Sequence, residues 1–241
     1  MSRGPTTAEH RSLSVVTLTY NNFSDRRTTL PILFEALERQ NLPEKTELVV
    51  VDDGSTDGTP SYVERVAGDL DGFELTLVET QHTGNQCENR NRGIEAADGD
   101  LLFLLDDDSI PMHDDAMRIA LDAWKPGTFC CGASRFWSPP EWDEARVSDL
   151  IDEGSADAIS EWAHLPRGAI KRRTGSRSLQ EYTFIENFGV VSKAAVEQVG
   201  MLDEDYTEWG HGDTDLMLRL LRDGVGFVNV HDVVDVLHLS G

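Results

Sequence analysis

Short apolar, β-branched runs alternate with amphipathic stretches through the first half of the chain, a pattern that predicts strands and crossover helices of a mainly parallel sheet. Leu13–Leu18 (LSVVTL) reads as a first strand. Leu30, Leu33, Phe34 and Leu37 follow at helical spacing, which puts Pro31 in the first turn, where its missing N–H is tolerated. Glu47–Val51 (ELVVV) forms a second strand and ends in Asp52-Asp53-Gly54-Ser55-Thr56-Asp57, a run of turn formers. Thr59-Pro60 then supplies an N-cap and a first helical residue. Leu75–Val78 is a third strand, Asn89–Ala97 a helix, and Leu101–Leu105 a wholly apolar central strand that runs into three aspartates. This is the repeat of a doubly wound unit, in which ligands bind beyond the carboxyl ends of strands. The polar clusters at 19–22, 52–57 and 106–109 all fall at such ends.

No period persists from Phe136 to Glu181, which predicts a loop-rich region with one or two short helices. The pattern resumes from Val190, with helices expected at Lys193–Val199 and Asp213–Arg222 and short strands at Gly226–Val230 and Val233–Leu239. No repeat, low-complexity tract or linker divides the chain. The expected fold is therefore α/β, a single Rossmann-like domain of a mainly parallel sheet flanked by helices over residues 13–241, behind a flexible N-terminus at 1–12.

With 241 residues, 39% of them hydrophobic and 27% charged, the chain has the profile of a globular domain. Its 44 acidic residues against 21 Lys and Arg leave a net charge of −23. Such a field repels phosphate backbones and anionic lipid, and no nucleic-acid partner is expected. The one concentrated basic stretch, Arg167–Arg177 (RGAIKRRTGSR), lacks interleaved aromatics and reads as a loop that touches an anionic substrate. Cys87, Cys130 and Cys131 are odd in number and match no zinc spacing, which fits a reducing compartment. The N-terminus has no apolar signal core, and the longest apolar run falls far short of the roughly 20 residues that span a bilayer. A cytoplasmic location with no transmembrane segment is expected.

In extended chain, residues two apart project to the same side, so Asp106 and Asp108 can converge on one hard cation, Mg²⁺ or Mn²⁺. A solvated acidic turn is the competing reading. Three adjacent like charges behind an uncharged strand repel each other unless something positive binds, and a metal carrying a diphosphate would supply that charge. Asp53 can accept from a uracil imide or a ribose hydroxyl, or can simply shape an Asp-Gly turn. Tyr20 can stack on a base or stand half-buried at a strand end.

Taken in order, SVVTLTYNN (14–22), VVVDDGSTDGT (49–59), NRNRGIEAADGDLLFLLDDDS (89–109) and VGMLDEDYTEWGHGDTDLMLRLLRDG (199–224) resemble the family 2 glycosyltransferases of the GT-A fold. The resemblance implies an inverting transferase that moves a sugar from a nucleoside diphosphate sugar, here a uridine diphosphate sugar, to an acceptor hydroxyl with Mn²⁺ or Mg²⁺. It gives residues 13–109 to the nucleotide sugar and 110–241 to the acceptor and the chemistry. Thr19, Tyr20 and Asp53 would face the nucleoside, Arg90 would lie near the nucleotide, and Asp107 would contact ribose or sugar. Asp108 would be the principal metal ligand, helped by Asp106 and by His238 on the last strand. The segment from Trp209 to Leu216 (WGHGDTDL) looks like the family's W-G-x-E-D-x-D-L stretch, which makes Asp213 the candidate base, with Trp209 and Asn187 on the acceptor side. Without the resemblance, Asp213 reads as a helix N-cap. Gly212 stands where the family usually has a Glu that helps orient the acceptor. The acceptor is left open among a glycan, a natural-product intermediate and a lipid-linked compound. Two rivals remain: a sugar nucleotidyltransferase, disfavoured because residues 17–22 offer neither Gly nor Lys, and a non-catalytic sugar-nucleotide or carbohydrate binding module.

Overall fold

The computed structural model describes residues 12–23, 28–44, 46–137, 171–172, 185–207, 211–230 and 233–239. In chain order the elements are β1 (Leu13–Thr19), α1 (Leu30–Glu38), β2 (Thr46–Asp52), α2 (Thr59–Val66), β3 (Phe73–Glu79), α3 (Gln86–Ala96), β4 (Leu101–Leu105), β5 (Ser109–Pro111) and α4 (Ala116–Ala123). After them come β6 (Thr128–Cys131), β7 (Ala133–Trp137), β8 (Lys171–Arg172), β9 (Phe188–Ser192), α5 (Lys193–Gln198), α6 (Gly212–Arg222), β10 (Gly226–Asn229) and β11 (Asp235–Leu239).

Seven strands form one sheet in the order β10-β6-β9-β4-β1-β2-β3. All neighbours are parallel except β9, which runs antiparallel to both β4 and β6. A second sheet, ordered β5-β11-β7-β8, carries the end of the described chain. The apolar run of β4 shows why the large sheet needs helices on both faces. Leu101, Phe103 and Leu105 point into a core shared with α1 and α4, while Leu102 and Leu104 point the other way, into a core shared with α3 and α6. Each such side chain contributes about 1.5–3 kcal/mol on burial, so the two faces together fix the strand's register.

Helix α3 lies unusually close to the sheet. A Cβ built on Gly93 would come within 2.6 Å of Val16 and 2.8 Å of Val51, so only glycine permits this approach.

The expected strands and helices of residues 13–105 are present, with shifts that have local causes. Helix α2 begins at Thr59, not after it: Gly58 turns with φ +93°, and Asp57 Oδ1 accepts from Thr59 N at 3.1 Å and from its hydroxyl at 2.6 Å. Helix α3 starts three residues before the expected Asn89, because the Asn85 side chain caps it by accepting from Glu88 N at 3.2 Å. The last strand starts at Asp235 and not Val233, since Val233 N and Val234 N both donate to Val230 O in a turn. The triple aspartate is a turn and not extended chain, with Ser109 N donating to Asp106 O at 3.1 Å. Within the basic stretch, Lys171–Arg172 is no loop: it pairs antiparallel with Arg135–Phe136. The rest of that stretch, most of the loop-rich 136–181 region and residues 1–11 of the N-terminal expectation lie outside the described residues.

Candidate active site

A buried cation joins the middle of β1 to the carboxyl end of β4. Arg90, on the α3 face pressed to the sheet by Gly93, is 1% exposed. Its Nη1 donates to Val16 O at 2.9 Å and to Leu105 O at 3.3 Å, and its Nη2 donates to Asp106 Oδ1 at 2.6 Å. Asp106 Oδ2 accepts from Asn187 Nδ2, also at 2.6 Å. Both oxygens of Asp106 thus take a donor from neighbouring elements, one of them a full charge, which fixes the carboxylate's direction.

The turn brings Asp108 round to the same side as Asp106, and β11 closes on it. Leu239 N donates to Asp108 O at 2.8 Å, His238 pairs with Ser109, and His238 Nε2 lies 3.4 Å from Asp108 Oδ1. One ligand atom each from Asp106, Asp108 and His238 fall within 4.8 Å of one another. Two carboxylate oxygens and an imidazole nitrogen are a donor set that suits Mn²⁺ or Mg²⁺. Arg90 and Asn187 hold one of these carboxylates, Asp106, in its direction.

Asp107 turns away from this trio. Its Oδ2 accepts from Asn22 Nδ2 at 3.0 Å, while Asn22 Oδ1 accepts from Thr29 N and Leu30 N at the start of α1. Burial pushes the Asp107 carboxyl up to about 6; the Asp106 charge adds to this, and the Thr19 hydroxyl, the Asn22 amide and Arg90 offset part of it.

At the end of β2, Asp53 is committed to the loop after β3. Its carboxylate accepts from Thr83 N at 2.9 Å and Gly84 N at 3.0 Å, and pairs with His82 Nδ1 at 2.9 Å. Burial alone would raise its pKa, yet the two backbone N–H groups, the Asn89 amide and the His82 ring hold it below the usual carboxylate range. The His82 ring lies on Tyr20, centroids 4.2 Å apart and planes at 13°, so one face of this 47%-exposed tyrosine is already covered.

Across the site, Asp213 sits in the first turn of α6. Its Oδ1 accepts from Thr214 N at 2.6 Å and from the Thr214 hydroxyl at 3.2 Å. Burial, with some help from the Asp106 charge and against those two hydrogen bonds, pushes its carboxyl up to about 6. Asp215 is taken by Arg219, 2.7 Å away. Gly212 packs on the sulfur of Cys87, and a Cβ there would lie inside van der Waals contact with it. The glutamate usual in the W-G-x-E-D stretch therefore has no room.

Thr19, Tyr20, Asp53, Arg90, Asp106, Asp107, Asp108, His238, Asn187 and Asp213 all line or support this one region, and Trp209 lies outside the described residues. Asn187 differs from its expected acceptor role in that its amide is spent on Asp106. Three residues escaped the sequence reading: Asn22 as the Asp107 clamp, His82, and Glu186. The pair Glu186-Asn187 directly precedes an apolar run, which would have flagged it had β9 been read as antiparallel, because the start of β9 pairs with the end of β4 (Phe188 with Leu105).

A mainly parallel sheet with polar clusters at its strand ends, an acidic turn and a facing carboxylate is an α/β arrangement shared with solved GT-A type transferases. Residues 14–200 match the family Glycosyl transferase family 2, and the chain belongs to that family. It is 25% identical over 83% of its length to "Uncharacterized glycosyltransferase YfnE" of Bacillus subtilis, covering 59% of that protein. Among solved structures, a mannosyltransferase from Pyrobaculum calidifontis in complex with GDP-Man and Mn²⁺ superposes with a TM-score of 0.66 at 19% identity, over 97% of this chain and 58% of that one. S. aureus TarS 1-349 in complex with UDP-GlcNAc gives 0.64 at 17% identity, over 95% of this chain and 59% of that one. The chain thus spans somewhat over half of each. No helix among the described residues is long and apolar enough to cross a membrane.

Proposed function

We propose that this protein is an inverting glycosyltransferase that moves a sugar from a nucleoside diphosphate sugar, a uridine diphosphate sugar first among the candidates, to an acceptor hydroxyl. The observation that carries the reading is the convergence of Asp106, Asp108 and His238 at the strand ends, with Asp213 on the facing helix. Asp106, Asp108 and His238 would hold a divalent cation, which when bound offsets the charge that grows on the departing diphosphate.

Thr19 and Tyr20, with the loop that Asp53 ties down, form the nucleoside side. Only the Tyr20 face away from His82 is open for a base. Asp107 sits beside the ribose. On the opposite side, Asp213 takes the proton of the acceptor hydroxyl as that oxygen bonds to the anomeric carbon. The bond from that carbon to the diphosphate breaks with its electron pair leaving on the nucleoside diphosphate, so configuration inverts. A carboxyl held up to about 6 is a stronger base than an ordinary aspartate and still ionised at neutral pH. Arg90 and Asn187 act earlier, by fixing Asp106.

Incubation with UDP- and GDP-sugars and Mn²⁺ tests the reading. Free nucleoside diphosphate with an inverted product is expected. Pyrophosphate instead would indicate a nucleotidyltransferase, and no product with retained binding a carbohydrate or sugar-nucleotide binding module.

A further inference from the structure

Glu186 belongs to no regular element, yet its position is tightly set. The chain turns at 185–187 and enters β9 so closely that a Cβ on Gly189 would overlap the Ile185 carbonyl. Its neighbour Asn187 is anchored on Asp106. The Glu186 carboxyl lies in the electrostatic reach of Arg90, Asp213 and Asp106. Its Oε1 is shut off from water and has no hydrogen-bond partner. Burial, together with the Asp213 and Asp106 charges and against Arg90, pushes the carboxyl up to about 8.

A buried polar atom without a partner costs about 1–3 kcal/mol, so folding gains nothing from this group. Its setting points to a ligand. Asp106 marks the diphosphate side of the site and Asp213 the acceptor side. The transferred sugar must lie between them, because the bond that breaks and the bond that forms share its anomeric carbon. Gly212, next to Asp213 at the head of α6, brings no side chain into this space, and Cys87 takes the room a Cβ there would need.

We propose that Glu186 is a donor-specificity residue, whose carboxyl group hydrogen-bonds a ring hydroxyl of the sugar being transferred. The inference rests on the glycosyl-transfer reading and deepens it.

Calorimetry in Mn²⁺ with UDP, GDP, UDP-glucose, UDP-GlcNAc and GDP-mannose tests it on the wild type, Glu186→Ala and Glu186→Gln. Both variants are expected to bind the nucleoside diphosphate as the wild type does. Glu186→Ala is expected to lose about 5–50-fold in affinity for the preferred nucleotide sugar, the scale of one buried hydrogen bond, and Glu186→Gln, which keeps an amide donor, to lose much less. Melting temperatures should be equal to the wild type or higher. Unchanged nucleotide-sugar affinity in Glu186→Ala overturns the inference, as does an equal loss for the bare diphosphate or a lowered melting temperature, which would make the residue structural. A wild type that binds none of these nucleotides removes the glycosyl-transfer reading itself, and this inference with it.

Discussion

Replacing Gly212 by Ala adds one methyl group at the head of the helix that carries Asp213, and the structure says where that methyl goes. Its carbon would fall on Cys87 Sγ, far inside the roughly 3.5–4.0 Å at which two such atoms sit comfortably. Cys87 is 5% exposed and belongs to the buried cluster that holds Ile94, Leu202 and Leu216, so its sulfur has little room to move. Either α3 and α6 part by about an ångström or one side chain leaves its rotamer, and overpacking of this kind costs about 1–3 kcal/mol. Ala is the better helix former, which returns a few tenths of a kcal/mol at most at a helix end. A net loss near 2 kcal/mol lowers the melting temperature of a chain this size by about 4–8 °C. Cys87→Ala alone opens a small void and costs about 1 kcal/mol. In the double variant the new methyl fills that void, and urea denaturation should show a favourable coupling of about 1–2 kcal/mol between the two sites. Additive losses, or a Gly212→Ala protein as stable as the wild type, would refute the packing account of why this position lacks a side chain. Donor hydrolysis should follow the same cycle, since displacing the start of α6 displaces Asp213.

Other expectations are simpler to state. Asp213→Asn should lower turnover about 10²–10⁴-fold while leaving nucleotide binding intact, and wild-type activity should fall below about pH 6 as Asp213 takes up a proton. Because the folded carboxyl binds its proton more tightly than the unfolded one, its stabilising effect is complete below the usual pKa of 3.8 and is lost as pH rises through about 6. Asp213→Asn should therefore be as stable as the wild type at pH 4 and more stable at pH 8, by thermal melts. Arg90→Met removes a cation shared by β1 and β4 and leaves Asp106 without its charge partner; a loss of about 3–5 kcal/mol in urea unfolding is expected, and a loss under 1 kcal/mol would show that the pair is not structural. Chelation of divalent ions should weaken UDP binding at least about tenfold, as should His238→Ala in the presence of Mn²⁺; equal affinity with and without chelator would remove the cation from donor binding.

The parallel part of the sheet was readable because β1, β2 and β4 are buried on both faces: β4 is wholly apolar, β2 carries the run Leu48–Val51, and β1 breaks its apolar residues only with Ser14 and Thr17 before its last residue. The short pieces were not. Three-residue β5, four-residue β6 and two-residue β8 exist because of the strands beside them, and no period can announce so brief an element. Helix α4 has an amphipathic pattern, with Ala116, Met117, Ala120 and Leu121 on one face, but no side-chain cap to mark its start. At the site, residues that follow strands or open helices were legible: Asp53, Asp106–Asp108 and Asp213 all stand where a period breaks. Glu186 was not, because its significance depends on the reversed direction of β9, which only long-range pairing reveals. Nor could sequence show that Asp53 would be saturated by the 82–84 loop, since those partners lie about thirty residues away.

The reversed strand has a consequence for how the molecule is made. Within the large sheet, β6 and β10 join the remaining strands solely through β9, which is inserted between β4 and β6. Until the ribosome has released the segment around 188–192, a nascent chain can assemble β4-β1-β2-β3, but β4, its most apolar strand, is an open edge. Unpaired edges of that kind template association with other chains. The vulnerable interval in biosynthesis is thus the synthesis of some eighty residues between Leu105 and Phe188, and it ends when β9 pairs with β4 and sets Asn187 on Asp106, while Asp213 and His238 are still to be added.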